Sequence, residues 1–385
     1  MIRDFENWNT TLGELSNLEE LQGARVGIDA ADYIYNRILH RAGSEPLVPA
    51  LGGLPLGLRK HIEDDLQYLS KYGIEAFFIF SGLDLAKQDD PFRERQLGAE
   101  VNAAAWSLYD NHQAEESVSK FGQSPYVTPE DLFPALQAIF VEHSVKFLVA
   151  PYSAWAELAY LEKNNHVQAI SGSSEILLFD CDKVITKWEF ESGTFTWIKR
   201  ARCIADLKKF VSNGDISDDM FVDACMLAGN HFLPTLPNLD SQNRKEVKPL
   251  GAINMMISNG RTGISVVLNS QDDPRFQRID YLDRFRRARL AVKHHPILTV
   301  DGHIKPLLDN ETPNNTNEVR LWRMDTLFDL QSGACLHAKT FSMKHCLAHI
   351  PMRIVNANCT LAYWPTPTRR TLYIFLQRPG QRSPT

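Results

Sequence analysis

An aspartate closes the partly apolar run ARVGIDA at residues 24–30. A carboxylate held at the end of a buried strand can bind a divalent cation or hold a proton for catalysis. Further on, Cys335, His337, His345, Cys346 and His349 are zinc-ligand types. Their C-x-H…H-C-x-x-H spacing fits no strong zinc template, and a core cysteine with surface histidines accounts for them better. Arg284, Arg286, Arg287, Arg289 and Lys293 share one helical stretch, DYLDRFRRARLAVKHHPIL, and form a basic face suited to RNA or an acidic partner. Asp280 and Asp283 offer the same cations local ion pairs.

These groups need a scaffold, and the hydropathy pattern describes one. ARVGIDA reads as a buried strand and ADYIYNRILH as a helix. Leu58, Ile62, Leu66 and Leu69 then fall on one helical face, with Gly73 as the stop. EAFFIFSG is a second buried strand, PEDLFPALQAIFVEHS a helix, VKFLVA a third strand, SAWAELAYLEKNN a helix and HVQAIS a fourth strand. EILLFDC forms a short helical turn, and KVITKWEF with TFTWIKR a hairpin. Alternating strands and helices imply a mainly parallel sheet covered on both faces. Its C-terminal strand ends would gather Asp29, Ser81, Pro151 and Ser171. Residues 86–129 interrupt the rhythm with an insertion that carries an Ala-rich helix. From about Leu239 the alternation fades, and the stretch SQNRKEVKPL marks a boundary. The organisation expected is an α/β domain over 1–240 and a smaller, mostly helical region over 241–385.

Length, charge and composition limit the function. A chain of 385 residues can bury a large core, and 44% hydrophobic with 23% charged residues is ordinary for a soluble globular protein. No apolar run approaches a membrane span, and MIRDFENWNT is too polar to open a secretory signal. Six cysteines lie scattered without a disulfide framework, so an intracellular, reducing location is expected. After Asp329 there is no acid, while seven Lys and Arg follow; since the whole chain is −6, residues 1–330 carry −13. An acidic body is a poor clamp for nucleic-acid phosphates.

Four stretches in one collinear order resemble the flap-endonuclease or XPG family, whose core is a PIN-like domain. GARVGIDAADYIYNRIL is similar to that family's opening strand, first catalytic Asp and helix, and GIEAFFIFSG to its second strand, which ends there in Phe-Asp-Gly. APYSAWAELAYLEKNNHVQAISGSSEILLFDCDKVI resembles its internal motif, and FVDACMLAGNHFLPTLPNL its Leu-Gly-Ser-Asp-Tyr turn. The resemblance implies two divalent cations about 4 Å apart, held by several carboxylates. Position by position, the first acid is Asp29. The second is replaced by Ser81, the internal pair by Ser153 and Trp155, and one of the next pair by Ser173, while Glu175 survives. The last becomes His231. Glu157 sits about half a helical turn from the Trp155 position.

Two carboxylates cannot balance two divalent ions, and Trp155 would fill the space of one. The resemblance therefore implies a catalytically inactive protein with no cofactor, or at most one weakly bound divalent metal on Asp29, Glu175 and His231. The insertion agrees: Glu100 to Ser119 has no Lys or Arg, where an active relative would grip the scissile phosphate. Arg93 and Arg95 are more simply read as exposed ion-pair partners. One fungal branch of the family, post-transcriptional regulators with a degenerate XPG-like domain, matches more closely than any nuclease. It implies a cytoplasmic scaffold acting on mRNA translation or stability, at polysomes, P-bodies or stress granules. It also implies an ataxin-2-like, poly(A)-binding-protein-associated partner, mostly indirect mRNA contact, and a chain continuing past residue 385. The competing reading is a metal-dependent endonuclease with a reduced site.

Overall fold

The computed structural model describes residues 1–40, 45–48, 54–83, 91–124, 127–211, 215–240, 248–271, 273–278 and 280–307, together with the strand segments 359–362 and 373–376. The Cys335–His349 group lies outside the described residues, as do the side chains of Arg93 and Arg95.

Seven strands form one sheet: β1 (Glu14–Asn17), β2 (Arg25–Asp29), β3 (Glu75–Phe80), β4 (Lys146–Val149), β5 (Ala169–Ser171), β6 (Lys183–Glu189) and β7 (Thr194–Lys199). Their order is β1-β7-β6-β5-β2-β3-β4. Strands β4, β3, β2, β5 and β6 run parallel, with Asp29 opposite Ile79 and Ile28 opposite Ser171. β7 returns antiparallel to β6, and β1 pairs antiparallel with β7 at the far edge. The fold is thus the mainly parallel, PIN-like α/β sheet expected from the alternation. After β2 the chain winds one way to β3 and β4, then comes back to lay β5 on the other side. The crevice between β2 and β5 is therefore a topological switch point, where such sheets open a cleft for ligands.

Helices cover both faces. On one face, α1 (Phe5–Leu12) opens the chain, and on the other lie α2 (Ala30–Tyr33), a π-helical continuation (Ile34–Leu39) and α3 (Leu58–Lys71). The insertion gives a helical hairpin, α4 (Pro91–Asp110) and α5 (Ala114–Phe121), and is followed by α6 (Pro129–Glu142). Phe78, Phe80, Ile62, Leu69, Leu136 and Phe140 fill the core under α2, α3 and α6. α6 begins with a capping box in which Thr128 and Asp131 exchange hydrogen bonds, with Pro129 at the first helical position.

The opposite face is built by α7 (Ala154–Lys163), α8 (Arg200–Lys208), α9 (Asp218–Ala228), α10 (Pro237–Asp240), α11 (Lys248–Ser258), α12 (Gly263–Asn269), α13 (Pro274–Arg278) and α14 (Tyr281–Lys293). Ala252, Ile253, Met256, Val267, Phe285 and Ile297 share one continuous core with Leu158, Ile170, Phe221 and Leu227. Leu239 therefore marks a change of element type, not a break in the core. A short hairpin, β8 (Pro296–Leu298) and β9 (Ile304–Pro306), lies against α7, and β10 (Cys359–Ala362) pairs with β11 (Tyr373–Leu376). α7 presses closely on the sheet. A Cβ on Gly27 in β2 would lie 2.6 Å from Leu158 Cδ2, so a larger residue there would force the Leu158 side chain to move. No described helix is long and apolar enough to cross a membrane.

Candidate functional site

Asp29 ends β2 and starts α2, accepting a hydrogen bond from Ala31 N–H at 3.0 Å as the helix cap. Its other oxygen, Oδ2, accepts from the indole Nε1–H of Trp155 at 2.8 Å. The loop after β5 closes over it, for a Cβ on Gly172 would meet Asp29 Cβ at 2.7 Å. Asp29 is 1% exposed, and burial pushes its carboxyl up to about 6 although the Trp155, Ala31 and Asp32 N–H groups oppose the shift. Asp32 lies beside it. Burial, and then the charge of Asp29, push Asp32 up to about 8.

Glu175 sits on the 3₁₀ turn Ser174–Leu178 and is fully buried. One carboxylate oxygen pairs with the Met1 ammonium and the other accepts from Ser173 Oγ. His231 Nδ1 stands 3.9 Å from the first. Burial raises the Glu175 pKa, but the ammonium, His231 and the hydroxyl outweigh it and hold the carboxyl below the usual range. The N-terminal segment is anchored here as well, since Ile2 is buried and its N–H donates to Ser174 Oγ at 2.8 Å.

The serines serve the backbone. Ser81 Oγ accepts from Ala154 N–H and Ser153 Oγ from Trp155 N–H, each at 3.1 Å, so both cap the start of α7. Ser153 N–H donates to His295 Nε2 at 3.1 Å, and burial keeps that histidine neutral by lowering its pKa to about 4. Trp155 is half-buried, with edge-on contacts to His231 (5.3 Å between centroids) and Phe232 (5.8 Å). Glu157 faces away from this cluster and is fully buried under β8, where Oε2 accepts from Leu298 N–H at 2.8 Å. Its Oε1 has no hydrogen-bond partner, and burial pushes the carboxyl up to about 8.

The structure therefore brings Asp29, Trp155, His231, Glu175 and Ser173 to one end of the sheet, with Ser81 and Ser153 at the adjoining helix cap. The donor set does not fit a metal pair. The second oxygen of Asp29 is taken by an indole, and Glu175 by an ammonium and a hydroxyl. Among the described residues no three His, Cys, Asp or Glu side chains are arranged to hold a metal ion. Sequence reasoning missed Asp32, which lies one helical turn after Asp29, a spacing that itself was the available signal. It also missed Met1 and His295, which reach the cluster only through the tertiary fold.

The basic stretch on α14 divides. Arg289 turns inward, its Nη2 at 2.8 Å from Asp219 and its Nε in ion-pair contact with the buried Asp223 at 2.5 Å. Asp223 Oδ2 also accepts from Gly263 N–H at 2.9 Å, tying α9, α12 and α14 together. Arg287 pairs with Asp283 one turn back, at 2.7 Å. Arg284 and Arg286 are exposed, and Lys293 is half-buried.

Residues 144–231 match the XPG I-region, which spans β4 to the turn after α9. Over 326 residues, 81% of its length, the chain is 33% identical to the post-transcriptional regulator MKT1 of Cryptococcus neoformans var. grubii, and covers 40% of that protein. It is 24% identical over 331 residues to MKT1 of Saccharomyces cerevisiae, covering 75% of this chain and 38% of that one. It thus spans about two fifths of these relatives. Among solved structures, the catalytic core of Rad2 in complex with DNA superposes with a TM-score of 0.48 at 16% identity, covering 86% of this chain and 95% of that core.

Proposed function

We propose that this chain, which is similar to the MKT1 post-transcriptional regulators and matches the XPG I-region, is a catalytically inactive nuclease-like scaffold in the regulation of mRNA translation or stability. The observation that carries the reading is the hydrogen bond from Trp155 Nε1 to Asp29 Oδ2. A metal-assisted nuclease needs that oxygen free for a cation. Here a large neutral side chain occupies it, and the Met1 ammonium stands against Glu175, the other acid carried over from the family motif. Four neutral donors and one ammonium stand where two divalent ions would bring four positive charges. The pocket is built to hold its own shape.

As a scaffold in the cytoplasm, at polysomes, P-bodies or stress granules, the protein would act through an ataxin-2-like, poly(A)-binding-protein-associated partner, and mRNA contact would be mostly indirect. The exposed Arg284 and Arg286 are the members of the basic stretch best placed to meet such a partner, with Arg287 able to exchange its exposed pair with Asp283, whereas Arg289 is committed to Asp219 and Asp223. A second reading, a nuclease with a reduced metal site, draws its support from the adjacent carboxyls of Asp29 and Asp32.

Purified protein incubated with flap, bubble and single-stranded substrates in Mg²⁺ or Mn²⁺ separates the two. No cleavage is expected. Metal-dependent cleavage that disappears in Asp29→Ala would establish the second reading, and contaminating nuclease would survive that change. In the same preparation, co-precipitation of an ataxin-2-like protein should weaken in Arg286→Glu/Arg287→Glu.

A further inference from the structure

The insertion hairpin carries a feature that the dead pocket does not explain. α4 and α5 pack against each other through Phe121, which is buried, and through Ser117 Oγ, which donates to Ala105 O at 2.8 Å. On this small base stand two large aromatic side chains: Trp106 is 49% exposed and Tyr109 57%. Their geometry is fixed. Trp106 meets Phe121 edge-on at 5.1 Å, and Tyr109 meets Trp106 edge-on at 6.0 Å. Among the described residues neither the indole N–H nor the phenol O–H has a hydrogen-bond partner. Pre-ordered, half-exposed Trp and Tyr with open polar ends are the residue types on which interfaces concentrate their binding energy.

The charge around them selects the partner. Residues 100–119 contain Glu100, Asp110, Glu115 and Glu116 and no Lys or Arg. All four acids are exposed, and Asp110 directly follows Tyr109. A polyanion meeting this surface would be repelled, whereas a cationic chain would be drawn to it. We propose that the Trp106–Tyr109 face of the hairpin is a docking surface for a basic polypeptide segment that carries an apolar anchor residue. The anchor seats on the two rings, and Lys or Arg side chains on either side meet Glu100, Asp110, Glu115 and Glu116. This inference rests on the scaffold reading, in that a surface hostile to phosphates serves a protein partner and not a nucleic-acid strand.

The probe is a displayed library of random twelve-residue peptides panned on the whole chain, with counter-selection on Trp106→Ser/Tyr109→Ser. Both rings are half out of the core, so the variant should keep the wild-type melting temperature within a few degrees. Peptides that survive should share Lys or Arg flanking an aromatic or branched apolar residue. As free fluorescein-labelled peptides they should bind at least ten-fold more weakly to the double variant and to Glu115→Lys/Glu116→Lys, and more weakly again as salt rises. The proposal is overturned if no peptide distinguishes wild type from variant, or if the discriminating peptides are acidic. It is equally overturned if single-stranded RNA competes through these rings, or if the double variant changes only self-association. Metal-dependent cleavage would end the scaffold reading, yet it would leave the peptide result standing, so the two failures can be told apart.

Discussion

Two of the regions that bury carboxylates, the strand ends and the helical layer, compensate them by different means. At the strand ends, Asp29 is held by an indole and backbone amides, and burial drives it and Asp32 toward their protonated forms. In the helical layer, Asp223 meets a guanidinium; burial raises its pKa, while Arg289 and the Gly263 N–H pull it back. The first region compensates Asp29 and Asp32 with neutral donors and a raised affinity for protons and leaves its ion pair to Glu175 and the Met1 ammonium, whereas the second meets Asp223 with a guanidinium. The difference teaches where each is vulnerable. The helical layer depends on one side chain, and the strand-end pocket on pH and on the shape of Trp155.

Removing the guanidinium is expected to have the largest effect. Arg289→Ala leaves Asp223 buried beside Gly263 without a cation and should cost about 2–4 kcal/mol in urea unfolding. Arg284→Ala, on the exposed side of α14, should stay within about 0.5 kcal/mol. Equal losses would erase the distinction between structural and surface cations on this helix. Next comes the pocket: Trp155→Ala should cost about 2–3 kcal/mol, below the value for a fully buried Trp because part of the side chain stays exposed. Trp155→Phe keeps most of the ring and should lose about 1 kcal/mol with the indole hydrogen bond. An unchanged melting curve for Trp155→Ala would mean that the indole merely covers the pocket.

A further effect, visible only as pH rises, lies at the seam between the two regions, on Glu157. Its folded-state pKa of about 8 stands well above the ordinary carboxylate value of 4.5. The fold holds a proton that the unfolded chain has released, so this contribution is full below pH 4.5 and is lost as pH rises to about 8. Glu157→Gln keeps an acceptor for Leu298 N–H and removes the titration. The variant should show a shallower fall in melting temperature between pH 5 and 8, and exceed wild type by about 1–2 kcal/mol at pH 9. Parallel pH profiles would show that water reaches the carboxylate and that it ionises freely.

The sheet was legible because its strands are buried on both faces and alternate with helices of clear periodicity, as in Phe78–Phe80 and Leu58, Ile62 and Leu69. The places of Asp29, Ser81, Ser153, Trp155 and Glu175 followed from motif order. What they touch did not. The Met1 ammonium reaches Glu175 across 174 positions, and His295 reaches Ser153 across 142, and no local pattern encodes such meetings. Arg289 looks like its neighbours in sequence, but the helical period turns it toward α9 while Arg286 points out. The hairpin showed its missing cations in the sequence, yet the exposure of Trp106 and Tyr109 needed the packing of α5.

One contact also sets a schedule for synthesis. Helix α7 hangs from β8 by the hydrogen bond between Glu157 and Leu298 N–H, and it shares its core with α11, α12 and α14. As the ribosome extends the chain, α7 emerges about 140 residues before the strand that covers Glu157. At ordinary elongation rates that interval is on the order of 10 s. During it the apolar side of α7 and the face of α9 must wait uncovered, in reach of chaperones. A nascent chain arrested near residue 240 would therefore remain incompletely folded, with its sheet paired and one flank open.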